Sequence, residues 1–157
     1  PNTCVSTIKA IKDLKVNYLT IHISSGLEAL KSVKKISGKT KIVGVSILTS
    51  LNNKSLKEIG FKMEVKKLVL HQARLAKKAK LDAIVCSAQE APFVKKIFKG
   101  EIITPGIRLK GDSSNDQVRV TSPSEAFKNG STSLVMGRSL TKGNIKKNLQ
   151  KLLQQLI

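Results

Sequence analysis

Tryptophan is absent from this chain, and Tyr18 and four phenylalanines are its only aromatic residues. Proteins that grip single-stranded nucleic acids stack bases on aromatic side chains threaded through a basic groove, and five rings are too few to form such a platform. Acidic residues are also scarce, 10 against 29 lysines and arginines, which gives a formal net charge of +19. A surplus of this size invites a nucleic-acid reading, but its distribution argues against one. Lysine pairs fall at Lys34-Lys35, Lys66-Lys67, Lys77-Lys78, Lys95-Lys96 and Lys146-Lys147, spread over the predicted helices rather than gathered in one tail or stripe. That pattern reads as solvated outer helix faces, in a positive field that also attracts an anionic metabolite. Cys4 and Cys86 are the only cysteines and lack metal-ligand spacing, so two buried or half-buried thiols in a reducing cytoplasm are expected. No apolar run approaches the length of a membrane span. A basic-then-apolar leader is missing as well. Nor does a low-complexity linker divide the chain, so residues 1–157 are expected to form a single domain.

What is present is an alternation of apolar segments of two lengths. Short β-rich runs lie at Asn17–Ile23, Lys41–Leu48, Leu81–Cys86, Glu101–Thr104 and Ser133–Met136. They are nearly continuous in hydrophobicity, as suits strands of a parallel sheet covered on both faces. Helical periodicity joins them. Val65, Leu68, Val69, Gln72, Leu75, Ala76 and Ala79 share one face of Glu64–Ala79, and Ile145, Leu149, Leu152, Leu153 and Leu156 share one face of the last segment. Val5, Ile8, Ile11 and Leu14 predict a shorter first helix. A helix followed by five strand–helix units indicates an α/β domain with a parallel sheet. Periodicity alone leaves a barrel and an open doubly wound sheet equally possible.

Ligands in α/β domains sit beyond the carboxyl ends of the strands, so the residues after each run carry the most information. Gly137-Arg138 combines a glycine, which lets backbone approach an anion, with a guanidinium fork matched to phosphate oxygens. An arginine paired to a surface carboxylate is the plainer alternative. It loses ground because Arg108 and Gln117 belong to the preceding strand-end region, and eight-stranded barrels build phosphate sites from their last two such loops. Thr49 and Ser50 either hydrogen-bond a carbonyl or ring amide or cap the next helix. His22 lies within an apolar strand without a legible carboxylate partner, which favours a structural histidine over a base. His71 reads as structural or exposed, and Asp82 precedes its strand, at the end away from the expected site. Ser87 and Glu90 have capping-box spacing. Lys110–Asn115 has the composition of a loop that closes over a ligand, and Ser122-Pro123 starts a short helix.

Five segments in order make a specific pattern: Val45-Ser46-Ile47-Leu48-Thr49-Ser50, Val85-Cys86-Ser87-Ala88-Gln89-Glu90, Thr104-Pro105-Gly106-Ile107-Arg108, Asp116-Gln117-Val118-Arg119-Val120 and Gly137-Arg138-Ser139-Leu140-Thr141. With them the chain resembles the orotidine 5'-phosphate decarboxylase family. The resemblance implies an α/β fold based on the (β/α)8 TIM barrel, here incomplete, with five parallel strands and intervening helices. It implies decarboxylation of orotidine 5'-monophosphate to UMP in pyrimidine biosynthesis, without a cofactor, in a cytoplasmic homodimer that binds neither nucleic acid nor membrane. By the same resemblance Arg108, Gln117, Gly137 and Arg138 hold the phosphate, Thr49 contacts the pyrimidine, and Pro105 forms part of the apolar wall beside the ring. Thr3, within Pro1-Asn2-Thr3, would reach the ribose side of the partner subunit's site. Ser25, Ser46 and Ser139 stand where the family usually has glycine, threonine and proline.

The family's catalytic Asp–Lys–Asp network has no counterpart in this sequence. The expectation is therefore that the chain is a C-terminal part of the family, keeping phosphate and pyrimidine groups, without catalytic residues of its own and without activity alone. An unclosed parallel sheet also leaves edges and one face uncovered, which predicts poor folding in isolation. Two alternatives remain at this point. One is a phosphate-sugar aldolase or decarboxylase of the same barrel group, which shares the Gly-Arg but not the Thr-Pro-Gly-Ile-Arg and Asp-Gln combination. The other is a basic nucleic-acid-binding module, whose mark would be salt-dependent binding to duplex or single strands.

Overall fold

The computed structural model describes residues 1–109 and 120–156 and converts the two segment lengths into strands separated by one or two helices. Helix α1 (Asn2–Ala10) and a 3-10 turn (Lys12–Leu14) precede strand β1 (Tyr18–His22). Helix α2 (Leu27–Ile36) leads to β2 (Lys41–Val45), and α3 (Asn53–Glu58) with α4 (Val65–Lys78) leads to β3 (Ala83–Val85). After them come α5 (Ala91–Ile97), β4 (Glu101–Thr104), α6 (Pro123–Lys128), β5 (Ser133–Leu134), α7 (Arg138–Thr141) and α8 (Ile145–Gln154).

The five strands are all parallel and lie in the order β1-β2-β3-β4-β5. A doubly wound sheet reverses its strand order and carries helices on both faces; this one does neither. The register puts Leu19, Ile21, Ile42, Ile84 and Ile102 on one face. Those residues pack with Leu30 and Val33 of α2, Leu68, Val69 and Ala73 of α4, and Val94 of α5 in the main core. On the opposite face Tyr18, Thr20 and His22 are exposed, Val45, Val85 and Ile103 half-buried, and only Val43 and Ala83 buried. Sequential order with helices on one side is the arrangement of an incomplete (β/α)8 barrel. Among the described residues, β1 and β5 each pair on one side only.

Local sequence sets the helix starts. Asn52 accepts from the Ser55 amide at α3, Ser122 from Glu125 at α6 with Pro123 in the first turn, and Asn144 from Lys147 at α8. α8 departs from expectation. Its apolar stripe reads as a core face, yet no α8 residue is buried, and Ile145, Leu149 and Leu153 are 45–61% exposed. The helix is tied down by polar bonds instead, with Asn148 Nδ2 donating to the carbonyls of Leu140 and Lys142. α1 likewise stops at Ala10 and leaves Leu14 exposed.

Two polar clusters brace the amino ends of the strands. Asp82 accepts two bonds from Lys34 Nζ at 2.6 and 2.7 Å and one from the Ile42 amide at 2.8 Å. Glu101 of β4 bonds Lys41 of β2 and accepts from the Tyr18 hydroxyl of β1 at 3.0 Å, so one carboxylate ties three strands on the uncovered face. The Lys41 bond, then desolvation working against it and the Tyr18 bond, leave the Glu101 pKa below its usual 4.5. Bonds to Glu101 and then Tyr18 raise the Lys41 pKa above 10.5. A depressed carboxylate stabilises above its unfolded pKa and loses that contribution as pH falls through the folded value; a raised ammonium does the reverse at the alkaline end. The stability difference between wild type and Glu101→Gln is therefore expected to stay flat between about pH 5 and pH 10 and to shrink beyond either limit, as melts across pH would show.

Gly100, between α5 and β4, makes a steric prediction. A Cβ there would collide with the Asp82 carbonyl oxygen and stand 2.7 Å from the Phe98 ring. That carbonyl already accepts from the Glu101 amide at 3.0 Å, so it has no room to retreat. Gly100→Ala is expected to destabilise the fold by about 1–3 kcal/mol in chemical denaturation.

Candidate phosphate and pyrimidine site

Each strand hands the chain to its loop at a bonded point. Beyond β2, the Ser46 amide and hydroxyl both donate to the Val85 carbonyl, at 3.1 and 2.6 Å. Ile47 and Thr49 then turn inward and are buried, while Ser50 is exposed. The cap of the following helix is Asn52, so neither Thr49 nor Ser50 is spent on that role. Beyond β3, the Cys86 amide bonds the Ile103 carbonyl, and Ser87 is buried. Its hydroxyl accepts from Gln89 while its carbonyl takes the Glu90 and Ala91 amides, so the Ser87–Glu90 spacing makes a tight turn rather than a capping box. Glu90 is buried where α5 begins. Cys4 is half-buried and Cys86 buried, and the two form no disulfide.

β4 ends with Thr104, whose hydroxyl lies 2.5 Å from that of Ser131. Pro105 follows half-buried, and Gly106 has φ +76, a left-handed conformation that favours glycine. The turn it permits sends Ile107 into a parallel bridge with Thr121, where the Arg108 amide donates to the Thr121 carbonyl at 3.1 Å. Residues 107–108 and Thr121 thus meet at one place. Gln117 and the Lys110–Asn115 segment singled out in the sequence lie outside the described residues. Arg108 Nη1 donates to the Ile107 carbonyl at 2.9 Å, and its Nε is buried without a partner among the described residues.

Beyond β5, Gly137 and Arg138 are exposed and Ser139 is buried. The Gly137 carbonyl accepts from the Leu140 and Thr141 amides, which folds the chain into α7. A Cβ at Gly137 would meet nothing within 4 Å, so open space lies in front of this turn. A small second core draws the last three strand ends together. Ala88, Ile107 and Ala126 are buried in it, with Leu134 and Met136 packed against them, and Asn129 Nδ2 reaches the Ala88 carbonyl at 3.0 Å. The neighbours of Arg108 and of Gly137-Arg138 therefore share one apolar platform. That platform was invisible in the sequence, since its members come from three strand ends and one helix.

Not every expected residue joins this group. Thr3 is exposed in the first turn of α1, a helix that packs on α2 rather than on the β4 and β5 ends. His22 is exposed at the end of β1, because it falls on the uncovered sheet face. His71 is exposed on α4. Asp82 stays at the amino end, bonded to Lys34. Among the described residues no group of three or more His, Cys, Asp or Glu is placed to hold a metal ion. No helix among them is long and apolar enough to cross a membrane.

Comparison with known proteins gives this geometry a context. A sequence model described as "Orotidine 5'-phosphate decarboxylase / HUMPS family" matches residues 1–151. The orotidine 5'-phosphate decarboxylase of Wolbachia sp. subsp. Brugia malayi is 45% identical over 159 residues, covering 98% of this chain and 69% of that protein. The enzyme of the same name from Coxiella burnetii is 41% identical over 150 residues, covering 90% of this chain and 63% of that one. A crystal structure of orotidine 5'-phosphate decarboxylase from Lactobacillus acidophilus superposes with TM-score 0.82 at 27% identity, over 99% of this chain and 70% of that one. The chain thus spans 63–69% of the length of these two curated relatives. These matches overturn the expectation that the likeness marks only a C-terminal part of the family. The family match begins at residue 1 and takes in α1, all five strands and α7. On the family match, and on relatives above 40% identity, the chain belongs to the orotidine 5'-phosphate decarboxylase / HUMPS family.

Proposed function

We propose that this chain serves the decarboxylation of orotidine 5'-monophosphate to UMP by holding the nucleotide's phosphate and pyrimidine at the carboxyl ends of its strands. Arg108 and Arg138 grip the phosphate dianion, the Gly137 backbone approaches it, and Gln117 adds a donor. Thr49, buried and not engaged as a helix cap, hydrogen-bonds the pyrimidine, and Pro105 supplies apolar wall beside it. Thr3 serves the ribose side of the partner subunit's site in a homodimer. The protein works in the cytoplasm, where its two thiols stay reduced. The observation that carries this reading is the buried Arg108 Nε, unpartnered among the described residues, next in sequence to Ile107 of the apolar platform on which Met136, just before Gly137-Arg138, also packs. Contacts to the phosphate act far from the reacting carbon and contribute by fixing the substrate.

Chemistry at that carbon needs charged groups arranged in a dry site. The Lys34–Asp82 and Lys41–Glu101 pairs both lie at the amino ends of the strands, away from the proposed site. The uncovered sheet face also admits water. The chain by itself is accordingly expected to bind UMP without measurable turnover of orotidine 5'-monophosphate. Loss of substrate absorbance that disappears with Arg138→Ala would contradict this. A screen of UMP against pentulose phosphates separates the proposal from the sugar-phosphate alternative, which predicts that the pentulose phosphates bind at least as tightly.

A further inference from the structure

Ser139 is a polar residue of the proposed phosphate loop to which no role has been given. It is the second residue of α7, directly after Gly137-Arg138, and only 9% exposed. Its hydroxyl is buried with no hydrogen-bond partner among the described residues. Nearby polar groups show that partners are within reach in this turn. Thr141 donates to the Gly137 carbonyl at 3.3 Å, and Asn148 Nδ2 takes the Leu140 and Lys142 carbonyls. Ser139 alone of these is left over. Buried hydroxyls are nearly always paired, and an unpaired one lowers stability, so a serine in this position calls for a reason beyond packing.

A second buried donor without an acceptor is Arg108 Nε, on the adjoining strand end. The two belong to segments packed together through Ile107 and Met136. Two unmatched donors on strand ends that share one apolar cluster, each end carrying an arginine, are completed by a ligand that only accepts hydrogen bonds and carries negative charge, which is the chemistry of a phosphate ester. Ser139 has a single χ1 angle, so its hydroxyl samples only the few staggered positions about this turn.

We propose that Ser139 is a further phosphate-binding residue, its hydroxyl donating to a phosphate oxygen of the nucleotide held by Arg108 and Arg138. The proposal rests on the phosphate reading above and adds to it a neutral donor that holds no partner until the anion arrives.

The test compares wild type, Ser139→Ala, Ser139→Thr and Arg138→Ala in calorimetric titrations with UMP and with uridine, alongside melts without ligand. Ser139→Ala is expected to weaken UMP binding by about 5- to 15-fold. Uridine affinity stays unchanged, and the unliganded melting temperature holds or rises because an unsatisfied buried hydroxyl is removed. Ser139→Thr, which keeps the hydroxyl, retains most of the UMP affinity. Wild-type UMP affinity in Ser139→Ala, with Arg138→Ala weakened, would overturn the role of Ser139 and leave the phosphate site standing. A fall in melting temperature with equal losses for UMP and uridine would mark a structural hydroxyl and overturn it too. Absence of any wild-type preference for UMP over uridine would overturn the phosphate reading itself.

Discussion

Arg108→Ala is expected to weaken UMP binding by about 30- to 140-fold, or 2–3 kcal/mol, while leaving uridine binding unchanged. The size follows from burial. Arg108 Nε is screened from water and has no partner among the described residues, so a phosphate oxygen arriving there meets a charged donor in a poorly solvated place. Arg138 is exposed, and its ion pair with phosphate competes with water and salt. Its replacement by alanine should cost about tenfold, with a stronger dependence on ionic strength. Arg108→Lys is expected to recover only part of the loss, because an ammonium keeps the charge but not the planar fork. Stability should respond differently. The buried Nε, without a partner among the described residues, destabilises the empty protein, so unliganded Arg108→Ala should melt no lower than wild type. Calorimetric titration with both ligands, and melts without them, check the two halves separately.

Asp82→Ala is expected to have the largest effect on folding, about 2–4 kcal/mol in chemical denaturation. Asp82 precedes the central strand β3 and performs two tasks at once. Its carboxylate takes the Lys34 ammonium of α2 and the Ile42 amide of β2, joining a helix to two strands. Its own amide donates to the Ile42 carbonyl at 3.1 Å, so the side-chain bond closes a reciprocal pair at the start of the β2–β3 ladder. Alanine would leave the Ile42 amide and Lys34 without this acceptor. Asparagine keeps one acceptor oxygen without the charge and should cost roughly half as much. Neither change should alter the affinity of the folded protein for UMP, because Asp82 lies at the end of the sheet opposite the proposed site. A drop in affinity with Asp82→Asn under conditions where the protein is fully folded would contradict that separation.

The alternation of strands and helices was legible because hydrophobic period and segment length are local properties. The β4 range matches at Glu101–Thr104, and the other four strands fall inside the runs read from sequence. Strand order was not legible, since no local property distinguishes β1-β2-β3-β4-β5 from a reversing order. Amphipathic periodicity in α8 identified a helix but not what lies opposite its apolar stripe, which here is solvent. The exposure of His22 was out of reach for a related reason: nothing local in an apolar strand shows that one sheet face is left uncovered. The Tyr18–Lys41–Glu101 cluster was out of reach because its members sit on three strands, 23 and 60 residues apart for Lys41 with Tyr18 and Glu101. At the site, residue types at strand ends pointed to Arg108 and Gly137-Arg138. The platform of Ala88, Ile107, Ala126 and Met136 and the burial of Ser139 emerge only once the chain is folded.

The central claim is that the β4 and β5 strand ends of this chain receive a nucleotide phosphate, and amide NMR of the labelled protein titrated with UMP and with uridine tests it most directly. The account predicts that UMP shifts the amides of residues 106–108 and 137–140, that uridine leaves these largely unmoved, and that Arg108→Ala removes the difference. Shifts scattered over the lysine-bearing faces of α2, α4 and α5, with the Gly137-Arg138 turn unmoved, would show a charged surface attracting an anion and would contradict it.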